Sequence, residues 1–302
     1  MSPILLAVAP IFGLILIGFA LRRVEFPGPG FWPVSERLTY YVLFPALLVG
    51  GLSGRSFDES AVGLAATLFV SVCLVSALLL LFRRFLAMDG PAFTSVFQGA
   101  IRPNTYVGLS VAAALLGPDW MTLSAVALLT LVPLVNVLCV LVLARHGGNG
   151  GGVRRTALEL AKNPLILACV AGFALNGLGI VLPVVVGDLL AIMGKAALPM
   201  GLLAVGAGLR GEGLRDSALP VAAASAIHLV LLPLAAFGCA QLLGLDPVSR
   251  QAALIFTAVP VSVSAFILAR QMGGDHRLMA LIITVQTLAS ALTLPLILAV
   301  LG

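Results

Sequence analysis

Arg102, Pro103 and Asn104 stand side by side in a stretch of otherwise small and apolar residues, GAIRPNTYVGLSVAAAL at 99–115. A guanidinium holds a carboxylate through paired hydrogen bonds. A proline opens a helix by removing a backbone donor and crowding the preceding turn. An asparagine, with Thr105 beside it, suits the cap of a helix that resumes beyond the break. The chemistry this spells is an anion site at a helix interruption. Pro260, followed by Ser262 and Ser264 in TAVPVSVSAFILARQMGG at 257–274, offers the same chemistry a second time.

These residues sit in a chain of 302 residues that is 61% hydrophobic and only 10% charged, with a mean hydropathy of +1.15. A soluble domain of that size needs far more charge to cover its surface, so the class is a polytopic membrane protein. The net charge of +5 does not point to nucleic acid, because the basic residues fall in short gaps between apolar runs, where membrane topology accounts for them. The four cysteines lie in four different apolar runs without a CxxC pair and read as small buried residues. No basic n-region precedes the first apolar run, which reads as a retained helix rather than a signal peptide. Neither a cofactor nor a metal site is expected.

Apolar runs long enough to cross a bilayer fall at about 2–21, 37–53, 60–82, 92–116, 120–144, 163–182, 187–209, 217–243, 248–270 and 278–301. The expected fold class is an all-α membrane protein of ten transmembrane helices. Lys and Arg alternate with the gaps. The odd-numbered gaps carry Arg22, Arg23, Arg37, Arg83, Arg84, Arg145, Arg154, Arg155, Lys162, Arg210, Arg215, Arg270 and Arg277, and the even-numbered gaps only Arg55 and Arg250. The bias places the odd gaps in the cytoplasm and both termini outside.

The glycine-rich stretch 146–153 divides the chain nearly in half. Prolines recur in order across that divide: Pro3 with Pro164, Pro45 with Pro199, Pro103 with Pro260, and Pro133 with Pro295. Their similar offsets indicate an internal repeat, 1–145 and 163–302, joined by a cytoplasmic linker 146–162. Five helices per copy is an odd number, so the second copy runs inverted through the membrane. Pro103 lies about eleven residues into its helix, roughly 16 Å at about 1.5 Å per residue, near mid-bilayer, and Pro260 is as deep from the other side. Helices 4 and 9 are therefore expected to be broken and to meet, each presenting a half-helix N-terminus with its free N–H groups and partial positive charge.

An arginine at a helix centre costs about 2.5–3.5 kcal/mol or more, and no acidic residue is evident at its depth. Two readings stand for Arg102: a mobile anion is its partner, or it clamps carbonyls exposed at the break. Asn136 in helix 5 lines the site or bonds a neighbouring helix; Gln286 in helix 10 is a weaker candidate of the same kind. Lys195 snorkels outward or touches substrate or proton. His228 carries a proton or is a neutral residue bonded to a neighbour.

ERLTYYVLFPALLVGGL at 36–52, IRPNTYVGLS at 101–110, LVPLVNVLCVLVL at 131–143 and the 257–274 stretch give a sequence that resembles bacterial members of the auxin efflux carrier family. The resemblance implies a fold related to bile-acid symporters and sodium/proton antiporters, in which broken helices 4 and 9 cross at the substrate site. It implies a scaffold from 1–55 and 163–210 that commonly dimerises, and a transport unit from 56–145 and 211–302 that moves as an elevator. It also implies organic anions, auxin-like or malate- and malonate-like, as substrates. Pro103 and Pro260 then match the crossover prolines, Asn104 the crossover polar position, and Asn136 a polar site residue.

The expectation is a secondary transporter of a small organic anion in the lipid bilayer of a bacterial inner membrane, with the substrate held by Arg102, Asn104, Thr105, Asn136, Ser262, Ser264 and Gln286. A cation/proton antiporter would want a deep carboxylate pair near the crossover. A channel or receptor is separated from a carrier by turnover in sealed vesicles. An intramembrane enzyme lacks its catalytic pairs, and no GxxxxGK[ST] is present for nucleotide.

Overall fold

A computed structural model describes residues 3–28, 30–53, 60–86, 88–147, 162–209 and 217–302. Most of the expected linker, and Arg55, Arg154, Arg155, Arg210 and Arg215 of the charge count, lie outside the described residues. Among those described, the chain is all-helical, with one isolated β-bridge and no strand. In chain order the helices are α1 Pro3–Arg23, α2 Phe31–Leu38, α3 Phe44–Leu52, α4 Ser60–Phe82, α5 Gly90–Ile101, α6 Thr105–Leu115 and α7 Trp120–His146. The second half adds α8 Pro164–Gly177, α9 Val184–Ala207, α10 Ala218–Ala226, α11 Leu232–Leu242, α12 Pro247–Ala258, α13 Ser264–Met272 and α14 His276–Leu301.

Six helical stretches are long and apolar enough to cross a membrane unaided: Ile4–Arg23, Ala61–Phe85, Gly117–His146, Val184–Ala207, Ala218–Leu242 and His276–Leu301. About 20 residues are needed, at about 1.5 Å each. The other apolar runs are divided or short. The run expected over 163–182 is helical only to Gly177, where the chain turns through Gly179 at φ +65° before α9 begins at Val184.

The sequence marks many of these ends. Asp89, Asn104, Asn163, Asp246 and Asp275 each cap a following helix by accepting backbone N–H groups, as short polar side chains do. Proline occupies the first turn of α5, α8 and α12, where its missing donor goes unneeded. Prolines also explain two widened turns. The π-helical turns Thr39–Leu43 and Ile227–Leu231 join α2 to α3 and α10 to α11. Pro45 and Pro233 follow them, two residues on. A proline ring crowds the carbonyl four residues back, and a π turn relieves that crowding without ending the helix.

Two large buried clusters form most of the core, with a small third of Val140, Leu143 and Met272 between α7 and α13. The larger draws on α1, α4–α7 and α9–α14; the smaller joins α3 and α8 to α6, α7 and α9. α1 packs closely on α9. A Cβ built on Gly206 would run into the Ile15 carbonyl, and one on Gly18 into the Leu203 carbonyl. Gly206→Val should therefore force the two helices apart, at a cost near or above the upper end of the ~1–3 kcal/mol of overpacking. Gly13→Ala, on α1 with open space around it, should be tolerated. Thermal unfolding of the two variants in detergent measures the difference; equal midpoints would refute the close packing.

Candidate functional site

The first break separates α5 from α6. Arg102 (φ −102°, ψ 90°) and Asn104 (φ −78°, ψ 106°) are extended. The second separates α12 from α13, with Val259 extended at φ −66°, ψ 153°. The two extended segments lie against each other as an antiparallel bridge between Pro103 and Val261. Asn104 N donates to Pro260 O at 2.7 Å, and Ser262 N to Arg102 O at 2.9 Å.

Backbone groups freed by a break and buried need partners. The bridge supplies four of them, and two side chains supply more. Gln286 of α14, fully buried, accepts from Val261 N at 3.0 Å and donates to Gly99 O at 2.8 Å. His228, on the second π turn and equally buried, donates Nε2–H to Val259 O at 2.7 Å. A carbonyl can only accept, so Nε2 carries the proton in that bond.

In front of the bridge is a cavity of about 910 Å3. Arg102, Pro103, Asn104, Thr105 and Tyr106 line it from the first break, and Ser262, Val263 and Ser264 from the second, with Asn136 of α7 beside them. Arg102 is only 9% exposed; its Nε donates to Ser264 Oγ at 3.4 Å, and its Nη1 is buried without a partner among the described residues. The Cys139 thiol lies against the same guanidinium. Asn104 Oδ1 caps α6, accepting from Tyr106 N at 3.0 Å and Val107 N at 3.3 Å, while its Nδ2 is buried and, among the described residues, unpartnered. Tyr106 is held by stacking on Phe44 of α3, ring centroids 4.7 Å apart. Two donors with unused hydrogens, one fully charged, thus meet where two helices break. An anion satisfies such a pair.

The structure revises several expectations. Ser262 and Ser264 do not cap the resumed helix: the N-cap of α13 is Val263, without a side-chain cap. Their hydroxyls bond each other at 2.9 Å, and Ser264 reaches Arg102. Gln286, expected among the substrate contacts, does not line the cavity, because both ends of its amide are used on the crossover. Asn136 lines the cavity, though one amide N–H goes to Val132 O within its own helix at 2.8 Å. His228 stands behind the bridge, and Lys195 is exposed on α9; neither lines the cavity.

The cavity is also lined by residues the sequence passed over: Glu36, Arg37, Tyr40, Lys162, Asn163 and Gln271. Asn163 caps α8 and lies within hydrogen-bonding reach of Tyr40. The usable signal was spacing. Pro33, Glu36, Arg37, Tyr40 and Tyr41 recur at helical intervals, which puts them on one face. Glu36 stands one residue before the apolar stretch 37–53. Among the described residues it has no ion-pair partner.

A family model for "Membrane transport protein" matches residues 153–298. Across nearly the whole chain the sequence is similar to a "Putative malonate transporter" of Rhizobium meliloti (strain 1021), 27% identical over 310 residues that cover 95% of this chain and 92% of that protein. It is also similar to an "Uncharacterized transporter" of Methanothermobacter thermautotrophicus, 22% identical over 291 residues, 94% of this chain and 93% of the other.

Proposed function

We propose that the chain belongs to the membrane transport protein family, that of the auxin efflux carriers, whose model matches residues 153–298, and that it is a secondary transporter of a small organic anion, with a dicarboxylate such as malonate as its type substrate. One observation carries this: a buried arginine with an unpartnered nitrogen and a buried asparagine with an unpartnered amide share one cavity wall at two paired helix breaks. A permanent charge so placed is costly without a counter-charge, and a carboxylate supplies one.

The anion lies against Arg102 and Asn104, with Thr105, Asn136, Ser262 and Ser264 within the same cavity. The helical pieces group as α1, α2–α3, α4, α5/α6 and α7, then α8, α9, α10–α11, α12/α13 and α14. Five units in each half, each half with one broken unit, support ten spans in two inverted repeats. Transport follows from movement of 56–145 and 211–302 as an elevator against a scaffold of 1–55 and 163–210, through which two copies pair. The protein spans the inner membrane of a bacterium with both termini outside and the 146–162 linker in the cytoplasm.

Counterflow in proteoliposomes tests the function. Vesicles preloaded with malonate and containing the purified protein should transiently accumulate external radiolabelled malonate, with a saturable rate. Counterflow absent for malonate, malate and indole acetate alike would overturn the proposal.

A further inference from the structure

Glu36 is the one carboxylate lining the cavity among the described residues, and it shares that cavity with Arg102. Its neighbours identify what it can respond to. Arg37 and Tyr40 stand on its own helical face, and Lys162 approaches from the start of α8. Tyr106, across the cavity on α6, lies within its electrostatic reach. α9 also packs against α2, but its ionisable groups, Asp188 and Lys195, lie N-terminal to Gly201, the point where it meets Phe44. Residues 201–209 carry no ionisable side chain. Among the described residues Glu36 is thus a carboxylate without a salt bridge, in a cavity whose buried charge is positive.

We propose that Glu36 makes anion binding in this cavity proton-linked: the anion enters together with one proton, taken from solvent onto the Glu36 carboxylate. Ionised, Glu36 repels the incoming carboxylate and offsets the field of Arg102. Protonated, it removes the repulsion and gains an O–H that can donate. Linkage is reciprocal, so an anion that prefers the neutral form also draws the proton in. On the scaffold, as the elevator reading has it, Glu36 does not cross the membrane with the anion. Its proton therefore tunes affinity with pH and does not drive accumulation.

The inference rests on the reading of this cavity as an anion site, and malonate binding by wild type and Glu36→Gln separates the two. Titration of each purified protein between pH 5 and 8 gives the ratio of wild-type Kd to variant Kd, in which the ionisation of malonate itself cancels. Glutamine mimics the protonated carboxyl, so the variant should bind more tightly than wild type at pH 8. The ratio should climb with pH by up to about tenfold per unit, and Glu36→Asp should keep the climb. A merely structural role would weaken the glutamine variant at every pH. A ratio that is flat, or a variant weaker than wild type at pH 8, would overturn the proton link. Loss of malonate binding in the wild type would instead overturn the anion site itself.

Discussion

Arg102→Ala should weaken malonate binding by tenfold to more than a hundredfold while leaving the protein as stable as the wild type or slightly more so. Hydrogen bonds to a charged group contribute about 1.5–3 kcal/mol each, and about 1.4 kcal/mol is tenfold in affinity. Stability behaves differently because of what the side chain touches. Its Nε donates to Ser264 Oγ over a long 3.4 Å, and Nη1 has no partner. The bond that ties the two breaks together at this residue runs through its main-chain oxygen, to Ser262 N, and alanine keeps it. Removing the side chain therefore removes a poorly compensated charge without undoing the crossover. The clamp reading requires the opposite pair of results, a lower unfolding midpoint with affinity little changed. Arg102→Lys, which keeps charge but loses the planar fork, should fall between. Calorimetry with malonate and thermal unfolding of the same samples decide between the two.

How much of this could be read from the chain depends on whether the signal is local. Pro103 and Pro260 announce the breaks because a proline acts on its own helix, wherever that helix lies. Asn104 announces its cap for the same reason, since the N–H groups it accepts are two and three residues ahead. That the breaks meet is expected from prolines recurring in order across the two halves, a pattern spread over the whole sequence. Ser262 and Ser264 looked like equally good caps but are not, because α13 starts at Val263 and Arg102, 162 residues away, draws on the Ser264 hydroxyl. No pattern within 257–274 contains that partner. Glu36 borders the apolar run 37–53, and nothing local marks it as a site residue; its place in the cavity depends on α2 starting at Phe31 and on which face of α2 turns inward.

Gln286 shows the same limit, and its removal should have the largest effect on the fold itself. Gln286→Leu leaves Val261 N–H and Gly99 C=O, one from each broken helix, buried with no replacement partner. An unsatisfied buried group costs about 1–3 kcal/mol, so the pair amounts to roughly 2–6 kcal/mol, a large share of the ~5–15 kcal/mol that holds a typical soluble domain. Thr287→Val is the matched control one residue on. Its hydroxyl bonds only the Ile283 carbonyl of its own helix, whose backbone bonding survives the change, so the unfolding midpoint should barely move. Gln286→Leu should also weaken malonate binding although Gln286 does not line the cavity, because Val261 sits between Pro260 and Ser262, whose backbone groups hold Asn104 and Arg102 in register. Parallel unfolding curves for the two variants, or an affinity untouched by the loss of Gln286, would mean that the crossover keeps its shape without this side chain. The anion site would then owe its geometry to the backbone bridge alone.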